Sequence, residues 1–185
     1  MNGQERLAEQ SREWLLQALF ELLEQSDYSR ITVKDIAETA KLSRRTFYRS
    51  FKNKSDLINY YGDQVIKRYI ESLKQIETTE MSFEQVLAAF FNFWWQERQK
   101  IKLLIRQDLF INFLVKMTPN AVDLYDLFKA PWHIKGSKQE ISYIMSFSVG
   151  GFWNILNTWL GKENPEKPQR MVNILLKGLK KINSR

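Results

Sequence analysis

The sequence predicts an all-α protein of about nine helices. Its 185 residues include only seven Gly and four Pro, the two residues that interrupt helices most strongly. Apolar residues recur at three-, four- and seven-residue intervals, which is the spacing of one helix face, and no useful stretch alternates like a half-buried strand. The hydrophobic content of 44% is enough for a real core, and the length fits one large domain or two small ones.

The first two helices are recognised by their apolar spacing and by a start signal. From Leu7 to Leu23 the spacing is that of an amphipathic helix of about five turns, which ends near Ser26. The second helix follows Thr32, whose hydroxyl can cap the amide of Asp35 while the Asp35 carboxylate reaches back to it. This is a capping box with Asp in the place of Glu.

The third and fourth helices repeat this pattern. Ser43 can cap a third helix, and only residues 40–42 separate it from the second. Two capped helices this close together are typical of a helix-turn-helix. Asn53 then begins a fourth helix, expected to continue through Leu73 and to connect two domains over residues 54–76. We therefore predict a helix-turn-helix domain at residues 1–55 and a second helical domain at residues 56–185.

The C-terminal part is predicted to contain five further helices, most of them long and rich in aromatic residues. They are expected near 82–100, 101–117, 120–129, 137–160 and 165–182, and they are punctuated by Pro119, "APWHIKG" and "GKENPEKP".

Composition excludes several kinds of site. The chain has no Cys and one histidine, His133, so thiolate nucleophiles, Cys-based metal sites, multi-histidine metal sites and His-based triads are excluded. No Gly-rich phosphate loop or suitable carboxylate pair is present, and we expect no enzyme activity, cofactor or metal. The beginning, "MNGQERLAEQ", lacks the apolar core of a signal peptide. The longest apolar run, "FSVGGFWNIL", is about half of the ~20 residues that cross a bilayer, so we expect a cytoplasmic protein.

A basic segment is the strongest functional signal. Lys41 to Lys54 contain six cations and no acidic residue. On a helix beginning at Arg44, positions 44, 45, 48, 49 and 52 share one face, while Phe47 and Phe51 share another. A solvated helix face is the ordinary alternative, but no acidic residue at i,i+4 offsets the repulsion. With a net charge of +7, this face is predicted to meet phosphates and bases.

The segment "ITVKDIAETAKLSRRTFYRSFKNKSDLINY" closely resembles the DNA-binding domain of the TetR/AcrR family of transcriptional regulators. The resemblance extends from about Trp14 to Tyr69 and rests on "IT-KDIA--A", "S--TFY--F" and "NK-DL". It implies major-groove contacts by Arg44, Arg45 and Tyr48, and a nearby base or phosphate contact by Lys34. It also implies phosphate contacts or backbone attraction by the remaining set, Thr32, Ser43, Thr46, Arg49 and Lys54.

One residue departs from the family pattern. Lys41 stands where the family usually has Gly in the turn. The position is expected to need a left-handed backbone, which costs a non-glycine residue about 1 kcal/mol.

The aromatic cluster at residues 90–95 has two interpretations. Its five rings cannot all face one direction on a helix, so they either form a core or also line an apolar ligand pocket. The family resemblance implies an effector pocket in this C-terminal domain. The candidate ligand contacts are Phe91, Trp94, Trp95, Asp108, Asn112 and Trp153.

Apolar stripes on the last two helices also have two interpretations. One stripe runs from Ile144 through Phe147 to Trp159, and the other from Met171 to Ile182. Either could be intramolecular core. The resemblance implies a homodimer interface, because in the family the last two long helices usually pack against their symmetry mates. A two-fold dimer can read two half-sites of a palindrome.

These observations predict a DNA-binding transcriptional regulator. We expect a homodimeric repressor that is released from a palindromic operator in double-stranded DNA by an unknown small-molecule effector, with no membrane partner. One alternative is a helical DNA-binding interaction protein whose aromatic half docks a partner protein and binds no effector. Another is a peripheral membrane protein that uses the basic tail "KGLKKINSR".

Overall fold

A computed structural model of the protein describes residues 3–75, 82–112 and 136–183. These residues form eight helices and no strand, which confirms the all-α prediction. The helices are α1 (Gly3–Gln25), α2 (Val33–Thr39), α3 (Arg44–Ser50), α4 (Lys54–Lys74), α5 (Phe83–Gln96), α6 (Arg98–Arg106), α7 (Lys138–Leu160) and α8 (Pro168–Asn183). The helix predicted at 120–129 lies outside the described residues, as does His133. None of the helices in these ranges is both long and apolar enough to cross a membrane.

The chain divides into two compact units, Met1–Ile66 and Lys67–Arg185, and the division falls within α4. In the first unit, α1, α2 and α3 pack around an aliphatic and aromatic core. Leu15, Leu19, Ile36, Phe47 and Leu57 are all fully buried there. Burying one such side chain contributes about 1.5–3 kcal/mol relative to exposure, so these few residues supply much of what holds the short helices in place.

Polar contacts join α1 to the beginning of α4 in the same unit. The Tyr60 hydroxyl lies 2.6 Å from Glu9 Oε1 and 2.7 Å from Glu13 Oε1. Burial, followed by these two carboxylate contacts, raises the pKa of Tyr60. The phenol therefore keeps its proton and donates it across the helix pair.

The predicted start signals of α2, α3 and α4 are confirmed. Thr32 and Asp35 form the full capping box of α2, and Ser43 Oγ accepts from the Thr46 N–H at 3.0 Å. Asn53 Oδ1 accepts from the Asp56 N–H at 3.0 Å. Each cap satisfies amides that have no partner inside the helix, which is why three helices can begin within so short a stretch.

The second unit is organised around aromatic side chains. Trp94 is fully buried, and its ring centroid lies 5.1 Å from that of Trp153 and 5.7 Å from that of Tyr69. Phe91 is also fully buried and packs edge-on against Trp159 at 5.2 Å. Such pairs add about 0.5–1.5 kcal/mol beyond the burial of their area, so the rings form much of this core.

Some helix ends differ from the sequence-based prediction. The break expected after Lys100 occurs at Glu97, which ends α5 and begins α6. No Gly or Pro stands there, and Glu97 instead binds Arg68 through a 2.6 Å ion pair. The last helix begins at Pro168 rather than at Pro165. A proline is well suited to the first helical position because its missing N–H would have no partner there.

The end of α7 depends on a glycine. Gly161 follows Leu160, and a Cβ at this position would lie 2.7 Å from the Asn157 carbonyl oxygen. Across this turn, the indole N–H of Trp159 donates to the carbonyl of Glu166, which follows Gly161, at 2.9 Å. The chain can therefore turn closely around the end of α7 and begin α8.

Candidate nucleic-acid interface and C-terminal cavity

The turn between α2 and α3 has the geometry of a Schellman cap. Lys41 has φ 54°, its N–H donates to the Glu38 carbonyl at 3.0 Å, and the Leu42 N–H donates to the Ala37 carbonyl at 2.9 Å. This pair of bonds defines the motif, whose left-handed position is usually Gly. The predicted left-handed backbone at Lys41 is thus confirmed, and the turn forms without glycine.

Helix α3 is held by one face and displays the other. Phe47 is fully buried and Phe51 is 6% exposed, with their ring centroids 5.7 Å apart. On the opposite side, Tyr48 is 58% exposed and meets Phe47 edge-on at 5.5 Å. The buried phenylalanines therefore fix the orientation in which α3 presents its polar residues.

The exposed side of α3 carries unbalanced positive charge. Arg44, Arg45 and Arg49 are exposed, and none of them forms an ion pair with a residue in the described ranges. We call Arg44, Arg45, Tyr48 and Arg49 the basic face. Guanidinium groups can bond guanine O6 and N7 in pairs or bind phosphate, so this face has the chemistry of a duplex-binding surface.

The other predicted DNA contacts lie near the basic face in sequence. They differ in whether their side chains already have partners within the protein. Lys34 is exposed and only 3.9 Å from Glu38 across one helical turn, a spacing that contributes little to stability. Thr32 is occupied by its capping box with Asp35. The Ser43 and Thr46 hydroxyls lie 3.0 Å apart, so one of them donates to the other.

Lys54 has partners within the protein. Its Nζ donates to the carbonyls of Tyr28 and Ile31, the latter at 2.8 Å, and lies 4.2 Å from the centroid of the Tyr28 ring. Burial lowers the pKa of Lys54. This ammonium fastens the beginning of α4 to the loop before α2, a contact that the sequence did not indicate. Its contact with phosphate stays a prediction.

The second unit contains a cavity of about 260 Å³ between the end of α6 and the C-terminal half of α7. Its described lining combines apolar side chains with one carboxylate and two amides. These residues are Ile105, Asp108, Phe110, Ile111, Trp153, Asn154 and Asn157.

Two of the six predicted ligand contacts, Asp108 and Trp153, line this cavity. Phe91 and Trp94 belong to the buried core, and Asn112 is exposed outside the cavity lining. Trp95 stacks on Trp159 at 5.7 Å and lies beneath the Arg98 guanidinium at 4.7 Å. Sequence reasoning missed Asn154 and Asn157, although two amides at i,i+3 among the large apolar residues at the end of α7 were a usable signal.

Comparison with known proteins agrees with this geometry. Residues 15–61 match the family described as bacterial regulatory proteins, tetR family. The solved structure of a TetR transcriptional regulator from Streptococcus agalactiae 2603V is 20% identical, with a TM-score of 0.62 over 94% of this chain and 96% of that chain. The solved structure of the dihydroxyacetone kinase operon activator DhaS is 19% identical, with a TM-score of 0.61 over 91% and 93%. No curated protein matches the sequence.

The two structural similarities are below 25% identity and show the shared fold, whereas the sequence match falls on the segment that contains α2, α3 and the basic face. Taken together, the match of residues 15–61 and the shared all-helical fold support a regulator of the TetR family.

Proposed function

We propose that the protein is a homodimeric, sequence-specific regulator that acts in the cytoplasm and is released from a palindromic operator when a small-molecule effector binds its C-terminal domain. The observation that carries this proposal is the basic face of α3. Three arginines and a tyrosine are displayed together, while two buried phenylalanines fix the helix behind them. Arg44, Arg45 and Tyr48 would contact the major groove.

A DNA-binding experiment tests the first part of the proposal. Genomic fragments retained by the protein are sequenced, and affinity for the recovered site is measured by fluorescence anisotropy. Arg44→Ala and Tyr48→Ala should each weaken specific binding by about 1–3 kcal/mol while affecting binding to unrelated duplex less. The matched control is Lys138→Ala, which removes an exposed cation from α7 in the second unit.

The salt dependence separates base contacts from phosphate contacts. Arg49→Ala, proposed to lose a phosphate contact, should weaken binding to every duplex and reduce the slope of log K against log salt by about 1. Equal affinity of the wild-type protein for all duplexes would contradict sequence-specific recognition. It would favour a general DNA-binding interaction protein.

Exposed apolar side chains on α7 and α8 support the homodimer. Phe147 is 82% exposed, Tyr143 69% and Ile174 49%. Large apolar side chains exposed on a helix can mark a protein interface, and a second copy would supply the second half-site reader. Size-exclusion chromatography with light scattering tests this assembly directly.

Effector control would operate through the separation of the two recognition helices. Helix α4 begins at Lys54, just after α3, and continues without a break to Lys74, so one element includes residues of both units. An effector can shift the dimer between two spacings only by the difference in its affinity for them. Because the chain has no cysteine, Tyr48→Cys can be spin-labelled at one position per protomer. An unchanged distance between labels on adding effector would contradict this mechanism.

The direction of regulation needs its own assay. We propose repression, as the release mechanism implies, although one structurally similar protein is named an operon activator. A reporter placed behind the recovered site should rise in expression when the gene for this protein is deleted. A fall would indicate activation and leave the proposal of DNA binding unchanged.

A further inference from the structure

The cavity between α6 and α7 has an acidic character in a basic protein. The chain has a net charge of +7, yet no Lys or Arg is among the described residues that line the cavity, and Asp108 is the one charged residue among them. Its carboxylate has no hydrogen-bond or ion-pair partner in the described part of the chain. Asp108 is an exposed residue, and among the described lining residues its negative charge favours a cation over an anion.

Asp108 also stands where the end of α6 disfavours it. Its φ is 55°, and its N–H donates to the Ile105 carbonyl while the Leu109 N–H donates to the Leu104 carbonyl. This is a second Schellman cap, at a position that favours Gly or Asn. A carboxylate beside the negative end of the helix macrodipole is unfavourable as well. Asp tolerates a left-handed backbone, so the unfavourable feature at this position is its negative charge.

The rest of the described lining suits an organic cation, because its aromatic rings can contact an apolar group and its amides can accept hydrogen bonds. The rings of Trp153 and Phe110 lie 5.2 Å apart and are almost fully buried, and aromatic faces attract ammonium groups as well as apolar groups. Asn154 and Asn157 lie one turn apart on α7 and offer amide oxygens as acceptors. One carboxylate and two amide oxygens are too few ligands for a hard metal cation such as Ca²⁺, which takes six to eight oxygen atoms.

We propose that this cavity binds a small ammonium ligand with an apolar body, the ammonium pairing with Asp108 and the apolar part lying against Trp153 and Phe110. This inference rests on the proposed effector control, because it names the chemical class of the effector. The cavity volume of about 260 Å³ lies just below the usual range of ligand pockets, roughly 300–1,000 Å³. The ligand is therefore small.

The test compares three probes of one shape and different charge by isothermal titration calorimetry at neutral pH. They are 2-phenylethylamine, 2-phenylethanol and phenylacetate, which are cationic, neutral and anionic. The full-length protein should bind the amine at least about fivefold more tightly than the alcohol, with phenylacetate weakest, and added salt should reduce this preference.

Asp108→Asn is the decisive variant. Asn tolerates a left-handed backbone at least as well as Asp, so the cap of α6 is kept and the melting temperature should be equal or higher. The preference for the amine should disappear in this variant. It should persist in Glu163→Gln, which removes a carboxylate from an exposed position after α7 outside the cavity lining.

Failure of this inference can be told apart from failure of effector control by repeating the titrations on the DNA complex. Amine binding that depends on Asp108 but leaves DNA affinity unchanged would support the cation site and count against effector control. Tighter binding of the alcohol or of phenylacetate, or a preference for the amine that survives in Asp108→Asn, would overturn the cation site. So would the absence of binding by all three probes at millimolar concentration, whereas DNA release by a non-cationic compound would leave effector control standing.

Discussion

Replacing Lys41 with glycine tests the description of the turn that joins α2 to α3. At φ 54°, a residue with a side chain is disfavoured by about 1–2 kcal/mol relative to glycine. Glycine gains freedom in the unfolded chain, which offsets about 0.4–1 kcal/mol of this. The difference between the midpoints of these two ranges is about 0.8 kcal/mol, and we expect Lys41→Gly to increase the free energy of unfolding of the first unit by about this amount.

Lys41→Ala is the matched control. It removes the same positive charge but keeps a Cβ at the left-handed position, so its free energy of unfolding should stay within about 0.5 kcal/mol of the wild-type value. Both variants remove one cation from the basic segment and should weaken DNA binding to the same small extent. The difference between the two isolates the backbone conformation.

The assay is urea denaturation combined with native-state hydrogen exchange at Leu42. The Leu42 N–H is bonded to the Ala37 carbonyl inside the cap, so its protection reports the local stability of the turn even if the two units unfold separately. Equal stability of the glycine and alanine variants would refute the strained-turn account. A glycine variant less stable than wild type would refute it more directly.

Three further predictions concern the core, the interface and the caps. Phe47→Ala removes a fully buried ring and should lower the free energy of unfolding by about 3–5 kcal/mol in urea titrations. A loss below about 1 kcal/mol would show that the ring does not anchor α3. Phe147→Glu places a charge on an 82% exposed site and should shift light scattering from dimer to monomer, whereas Asn92→Glu, an exposed site on α5, should not. Hydrogen bonds from the Thr32 hydroxyl and N–H lower the pKa of Asp35. Because this pKa is lower in the folded than in the unfolded protein, the ionised carboxylate stabilises the fold above about pH 4. This stabilisation is lost as the pH falls through the folded pKa. Asp35→Asn should therefore flatten the acid limb of stability measured against pH, and an unchanged limb would exclude this contribution.

Local chemistry explains why much of the first unit was predictable. A cap needs only a few consecutive residues, so Thr32 with Asp35 and Ser43 with Thr46 could be identified as helix starts without knowing the fold. The outward direction of Tyr48 followed from helical spacing, whereas the left-handed turn at Lys41 was expected from the family resemblance, in which Gly usually stands at that position. These features depend on neighbours in sequence.

Contacts between residues distant in sequence were decided only by the tertiary structure. The ammonium of Lys54 binds carbonyls more than 20 residues away, at Tyr28 and Ile31. Among the aromatic residues of the second unit, Trp94 is enclosed in the core whereas Trp153 borders both the core and the cavity. Helical periodicity shows which face of a helix is apolar. It does not show which apolar residues pack against each other and which line a cavity. The sequence determined the helices, their caps and the basic face because those depend on local spacing, and packing between helices decided where the cavity lies and which carboxylate lines it.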